Sequence, residues 1–189
     1  AAVSRFKQGS NALYISSNNI FEESLPGSFG TIDVEDPEAG VSNVFLANSI
    51  SSAIAEKDGE LFYWEPASKE IKKVDIMSAD PTPVTVLSNI DRAWDLAFDG
   101  DTLFMGITLS EETNQIVKVD LTLETPELEI IYEGNNDTPF SEFNTFVHLV
   151  VENETLYIAS SFGDFVTIDL NDESYSVNYT AGYFDIEPN

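Results

Sequence analysis

Cysteine is absent from the 189 residues. Disulfides therefore contribute nothing to the fold, and thiol nucleophiles and thiolate metal sites are excluded. Positive charge is nearly as scarce, with 8 Lys and Arg and a single histidine, His148. One histidine excludes any His-rich metal centre. No apolar run approaches the roughly 20 residues that a membrane-spanning helix needs. Also missing are a G-x-S-x-G nucleophile elbow, a Walker-type phosphate loop and a dinucleotide-binding glycine turn. Ala1-Ala2-Val3-Ser4-Arg5 leads straight into patterned sequence, and these small residues would suit a start left by signal-peptide cleavage.

Acid is what the chain has in plenty. Asp and Glu total 34, for a formal net charge of -26 and a pI near 4.1. Such a surface repels nucleic-acid phosphates and anionic headgroups, and it attracts divalent cations and basic partners. The acids are scattered through turns and not gathered in one block, a pattern that also suits a solubility adaptation. Hydrophobic content of 42% and aromatic content of 12% suffice for a core, so the charge does not make this a disordered chain.

A repeat organises the whole sequence. Leu followed by an aromatic recurs at Leu13-Tyr14, Leu61-Phe62, Leu103-Phe104 and Leu156-Tyr157. Downstream of each pair stands Thr31-Ile32-Asp33-Val34, Lys73-Val74-Asp75-Ile76, Lys118-Val119-Asp120-Leu121 or Thr167-Ile168-Asp169-Leu170. The aspartates lie 42, 45 and 49 positions apart, about the length of one β-propeller blade. Period-two alternation and turn-rich breaks predict four strands per unit. In the second unit they are 54–56, 61–64, 71–76 and 84–87; in the third, 94–98, 102–107, 115–121 and 127–132. The fourth unit has 146–151, 156–159, 165–170 and 175–179, and the first has 3–7, 13–16, 30–34 and 44–46, with a long insertion over 18–29. The predicted class is all-β, a β-propeller of four tandem four-stranded antiparallel blades at about 1–48, 49–90, 91–141 and 142–189. Three closures stand open: a small four-bladed ring, a half-ring completed by another copy, or part of a seven- or eight-bladed ring.

The stretch Leu156-Tyr157-Ile158-Ala159-Ser160, running on to Phe165-Val166-Thr167-Ile168-Asp169-Leu170, resembles the YVTN-type propeller repeat, a relative of NHL and lactonase-like propellers. The resemblance covers nearly the whole chain and implies the fold. It leaves function open, because such propellers host binding proteins, scaffolds and hydrolases alike.

Aligning the units on the Leu-aromatic pair places Arg5, Ala53, Asp95 and His148 at one position of the innermost strand. Three of the four are ionisable. With Asp91, Arg92, Trp94 and Asn144 just upstream, they form a candidate ligand-binding mouth of the channel. Asp95 and His148 suit an acid–base pair or part of a metal site; they equally suit a buried pair that fixes blade packing. Asp169 and Asn171, in an oxygen-rich turn, are the other candidate cation ligands, with Ca2+ the fitting ion. The recurrence of the Asp in every unit favours turn capping instead. Trp64, Phe140, Phe143 and Phe146 are candidate aromatic platforms for sugars or proteins.

The functional expectation is a non-enzymatic binding or interaction module, extracellular, periplasmic or at the cell surface. Its partner would be a protein, a glycan or further copies of itself as a homo-oligomer, and not nucleic acid. The alternatives are a metal-dependent hydrolase of the lactonase-like kind, with Asp95 and His148 around one cation, and a self-assembling structural subunit.

Overall fold

The Leu-aromatic pair explains the architecture, because consecutive residues of a strand point to opposite faces of its sheet. In the computed structural model, residues 2–8, 12–18, 27–33, 35–47, 53–109, 113–133, 147–160 and 164–179 are described. They form four four-stranded antiparallel sheets, each a simple meander in chain order. The first comprises β1 (Ala2–Gln8), β2 (Ala12–Asn18), β3 (Gly27–Asp33) and β4 (Val41–Ala47). The second comprises β5 (Ile54–Lys57), β6 (Glu60–Glu65), β7 (Glu70–Val74) and β8 (Val84–Ser88). The third is built of β9 (Arg92–Asp99), β10 (Thr102–Leu109), β11 (Thr113–Asp120) and β12 (Glu129–Glu133). The fourth is built of β13 (Val147–Glu152), β14 (Thr155–Ser160), β15 (Asp164–Asp169) and β16 (Tyr175–Tyr179).

One packing rule joins the sheets. The aromatic face of each sheet covers the leucine face of the next. Phe62, Trp64 and Ile71 of the second sheet pack against Leu103, Met105, Val117 and Val119 of the third. Trp94, Phe104, Ile116 and Tyr132 of the third pack against Leu149, Leu156, Ile158, Val166 and Ile168 of the fourth. Phe29 and Phe45 of the first cover Leu61, Tyr63 and Val74 of the second. An aromatic pair crosses every junction: Phe29–Tyr63 at 4.9 Å between ring centroids, Phe62–Phe98 at 4.8 Å and Tyr132–Tyr175 at 5.3 Å. The last two meet edge to face, an arrangement the ring quadrupole favours. The innermost strands line up in chain order, β1 beside β5, β5 beside β9 and β9 beside β13.

Turn chemistry closes the hairpins. Asp58 and Gly59, between β5 and β6, both have positive φ, as do Asn153 and Glu154 between β13 and β14. Two such residues make the tight turn whose twist matches paired strands. The predicted third strands ran on through Ile76, Leu121 and Leu170, but β7, β11 and β15 end earlier. The repeated Asp explains the difference. Asp33, Asp75, Asp120 and Asp169 each accept a hydrogen bond from the main-chain N–H two residues on, at 2.8, 2.9, 2.8 and 2.9 Å. That bond curls the chain out of the ladder. Ile76, just past the strand, still reaches the core at 2% exposure.

A pH dependence follows. The Thr122 hydroxyl and N–H both donate to Asp120 and hold its carboxyl below the usual carboxylate range. A depressed folded value adds stability that is fully present above the ordinary value of 3.8 and is lost as pH falls through the folded one. Asp120→Ala should therefore lower the melting temperature by a constant amount near neutrality. The gap to wild type should close only as pH falls through the depressed folded value. Thermal melts across an acid series check this.

Candidate functional site

Strands β9 and β13 lie side by side and bring two of the predicted inner-strand residues, Asp95 and His148, near one another. Asp95 sits opposite Gly106 and His148 opposite Ala159 in their sheets. Arg5 is opposite Ser16, and the Ala53 carbonyl accepts from the Trp64 N–H at 3.2 Å. These partners stand at equivalent places in the four sheets.

Their surroundings differ. Ala53 is fully buried, and Asp95 is 1% exposed. One carboxylate oxygen of Asp95 accepts the N–H of Leu96 at 2.9 Å within β9. The other accepts the N–H of Leu149 at 2.9 Å on the neighbouring sheet. Asp95 shares the face of Ala97 that packs on the fourth sheet, and a β-bulge lies beside it where the pairing of β9 with β10 shifts register. Asp95 thus clamps the third sheet to the fourth. His148 Nδ1 lies 4.0 Å from the same Asp95 oxygen that holds Leu149, while its side chain is 61% exposed. The pair combines a fixed, buried carboxylate with an imidazole that reaches solvent.

Upstream, the Arg92 guanidinium lies over the Trp94 ring, 4.4 Å from its centroid, a cation–π arrangement. Trp94 itself is 7% exposed and packs between the third and fourth sheets. Its indole N–H donates to the Thr108 hydroxyl at 2.8 Å, which donates in turn to Asn114 at 2.7 Å. Asp91 forms an exposed ion pair with Lys69 at 2.6 Å. Asn144 lies outside the described residues, and of Arg5 only the strand position is described.

The aromatic-platform expectation for Trp64 is corrected. Trp64 is 2% exposed and donates from its indole N–H to the Ile90 carbonyl at 3.0 Å, so it belongs to the core between the second and third sheets. Its neighbour Glu65, also buried, takes an ion pair from Lys72 and a hydrogen bond from Ser68. Phe140, Phe143 and Phe146 lie outside the described residues.

Asp169 and Asn171 are neighbours, but the Asn171 amide nitrogen faces the carboxylates, donating to Asp169 and Glu154 at 3.1 Å each. In that orientation Asn171 presents a donor where a cation would require oxygen. Among the described residues no three His, Asp or Glu side chains gather as a metal-binding group.

The sequence reading missed a groove of about 610 Å³ along the third and fourth sheets, lined by Phe104, Leu128 and Ile131 and by Lys118, Glu129 and Glu173. Lys118 bridges Glu173 of the fourth sheet and Glu129 of the third. Hydrogen bonding to Glu173 holds its ammonium above the usual lysine value. No sequence signal marks that bridge, because residues 55 positions apart meet only after the sheets stack.

These sheets, stacked face to face through alternating side chains, are of the propeller-blade kind. Comparison with solved structures agrees, and the neighbours include propeller proteins. A structure from work on two prolyl endopeptidases superposes with a TM-score of 0.56 at 14% identity, covering 90% of this chain and 26% of that one. A structure of a nidogen/laminin complex gives 0.58 at 9% identity, covering 89% and 59%. The extracellular domain of a B. thetaiotaomicron protein assigned as a one-component system gives 0.55 at 13% identity, covering 92% and 23%. The chain thus spans less than two thirds of the length of these relatives, and the likeness is one of fold. No protein-family model and no curated protein matches the chain. No helix among the described residues is long and apolar enough to cross a membrane.

Proposed function

We propose that the four sheets are four propeller blades of the YVTN/NHL-like kind, and that they form a binding module acting outside the cytoplasm or at a cell surface. The partners are proteins with basic surfaces, or ligands bridged through cations. The observation that carries this reading is the state of the few positive charges. Lys57 pairs with Asp58 and Asp101, Lys69 with Asp91, Lys72 with Glu65 and Glu70, Lys73 with Glu60, and Lys118 with Glu129 and Glu173. Arg92 is laid over Trp94. The lysines whose side chains are described are thus neutralised locally, and the carboxylate surplus projects a negative field. Such a field speeds encounter with basic surfaces and rejects nucleic acid. The likeness to a nidogen/laminin complex structure supports a protein partner.

The test is an array of extracellular proteins and glycans probed with the labelled chain at physiological salt. Basic proteins should dominate the bound set, and their affinity should fall at least about tenfold when salt is raised from about 0.1 to about 1 M. An array with no ligands, or binding indifferent to salt and to ligand charge, would overturn the reading.

A further inference from the structure

The packing rule of the fold leaves one face without a counterpart among the described residues. The aromatic faces of the first three sheets each cover the leucine face of the sheet that follows. The fourth sheet has the same aromatic face, built from Val150, Tyr157 and Phe165, which the pairing of β13, β14 and β15 sets side by side. The Tyr157 and Phe165 rings lie 6.0 Å apart. Position by position, this face is less covered than its equivalents. Val150 is 56% exposed, where the equivalent Ala55 and Ala97 are 4% and 8%. Tyr157 is half-buried, where Phe62 and Phe104 are each 3% exposed. Phe165 is half-buried as well, where Phe29, Ile71 and Ile116 are 1%, 0% and 2%.

The complementary deficit lies at the other end of the stack. Ile32 on β3 holds the position of Val74, Val119 and Ile168, which are buried to 1%, 1% and 0%, yet Ile32 is only half-buried. Among the described residues the inner-strand contacts run from β1 through β5 and β9 to β13, with no substantial packing of β13 to β16 against the first sheet.

We infer that a second copy of this chain covers the more open face, its first sheet laying the face that carries Ile32 onto Val150, Tyr157 and Phe165. The contact continues an interface that the chain already makes three times within itself. Being head-to-tail, it recurs at the far end and closes a ring of two copies. Eight sheets lie at the upper end of the common propeller sizes, and three copies would exceed them. The net charge of each copy opposes the pairing, so salt strengthens it. This assembly is independent of what the acidic surface binds.

Sedimentation equilibrium tests the inference. Twice the chain mass of 20.9 kDa is expected. The dimer dissociation constant should fall at least about tenfold between about 0.1 and about 1 M NaCl, as the screening length drops from about 10 Å to about 3 Å. Val150→Asp should weaken the dimer at least about a hundredfold by setting a carboxylate in the apolar contact. Val84→Asp, at an equally exposed site on β8, should leave it unchanged. Tyr157→Ser serves as a second variant should Val150→Asp misfold by circular dichroism. A monomer at every salt concentration overturns the inference. So do open polymers that lengthen with protein concentration, a dimer indifferent to Val150→Asp and Tyr157→Ser, or one lost equally with Val84→Asp.

Discussion

Phe104→Ala should destabilise the protein by about 4 kcal/mol, whereas Tyr157→Ala, at the same position of the next repeat unit, should cost the monomer only about 2 kcal/mol. Phe104 is 3% exposed in the junction of the third and fourth sheets, against Leu149, Leu156 and Ile158. Its removal forfeits the transfer free energy of a full ring and leaves a void that the strands on both sides are too constrained to fill. Tyr157 is half-buried on the fourth sheet, and part of the area its truncation removes is already wet. Chemical denaturation of both variants, at concentrations low enough to keep the chain monomeric, measures the two costs. Equal costs would mean that Tyr157 is covered within its own chain. The difference is therefore a direct reading of how the stack ends.

The same contrast shows how far the sequence could be read. The Leu-aromatic pair and the apolar-Asp-apolar strand end were legible because each is local: alternation along a strand, and a carboxylate reaching the N–H two residues on. Strand ends were overrun at Ile76, Leu121 and Leu170, since an apolar residue just past the turn still serves the core. Trp64 looked like a loop-tip aromatic beside Glu65-Pro66. Its burial depends on Ile90, 26 residues away, whose carbonyl takes the indole proton. The inner-strand position of Asp95 and His148 could be found by aligning the repeats. What Asp95 does there could not, because its second partner is a main-chain N–H on another sheet. Nor does alternation reveal whether the last aromatic face is covered, since every unit displays the same pattern.

Asp95→Ala should be nearly as damaging, at about 3 kcal/mol, while His148→Ala should change stability by no more than about 0.5 kcal/mol. The Asp95 carboxylate accepts two main-chain N–H groups, one in its own strand and one across the junction. Hydrogen bonds to an ionised acceptor are worth about 1.5–3 kcal/mol each in buried surroundings, and losing them leaves both N–H groups without that partner. Asn at this position restores one acceptor oxygen but turns an amide N–H toward the other donor, so Asp95→Asn should recover only part of the loss. Hydrogen exchange locates the effect. The Leu149 amide should lose protection in Asp95→Ala and keep it in His148→Ala, because the imidazole lies outside the clamp and largely in solvent. A ligand contact of His148 would then appear as a binding defect in a normally stable protein. That outcome would separate the two members of a pair that the sequence could only present together: Asp95 joins the blades, and His148 faces whatever enters beside them.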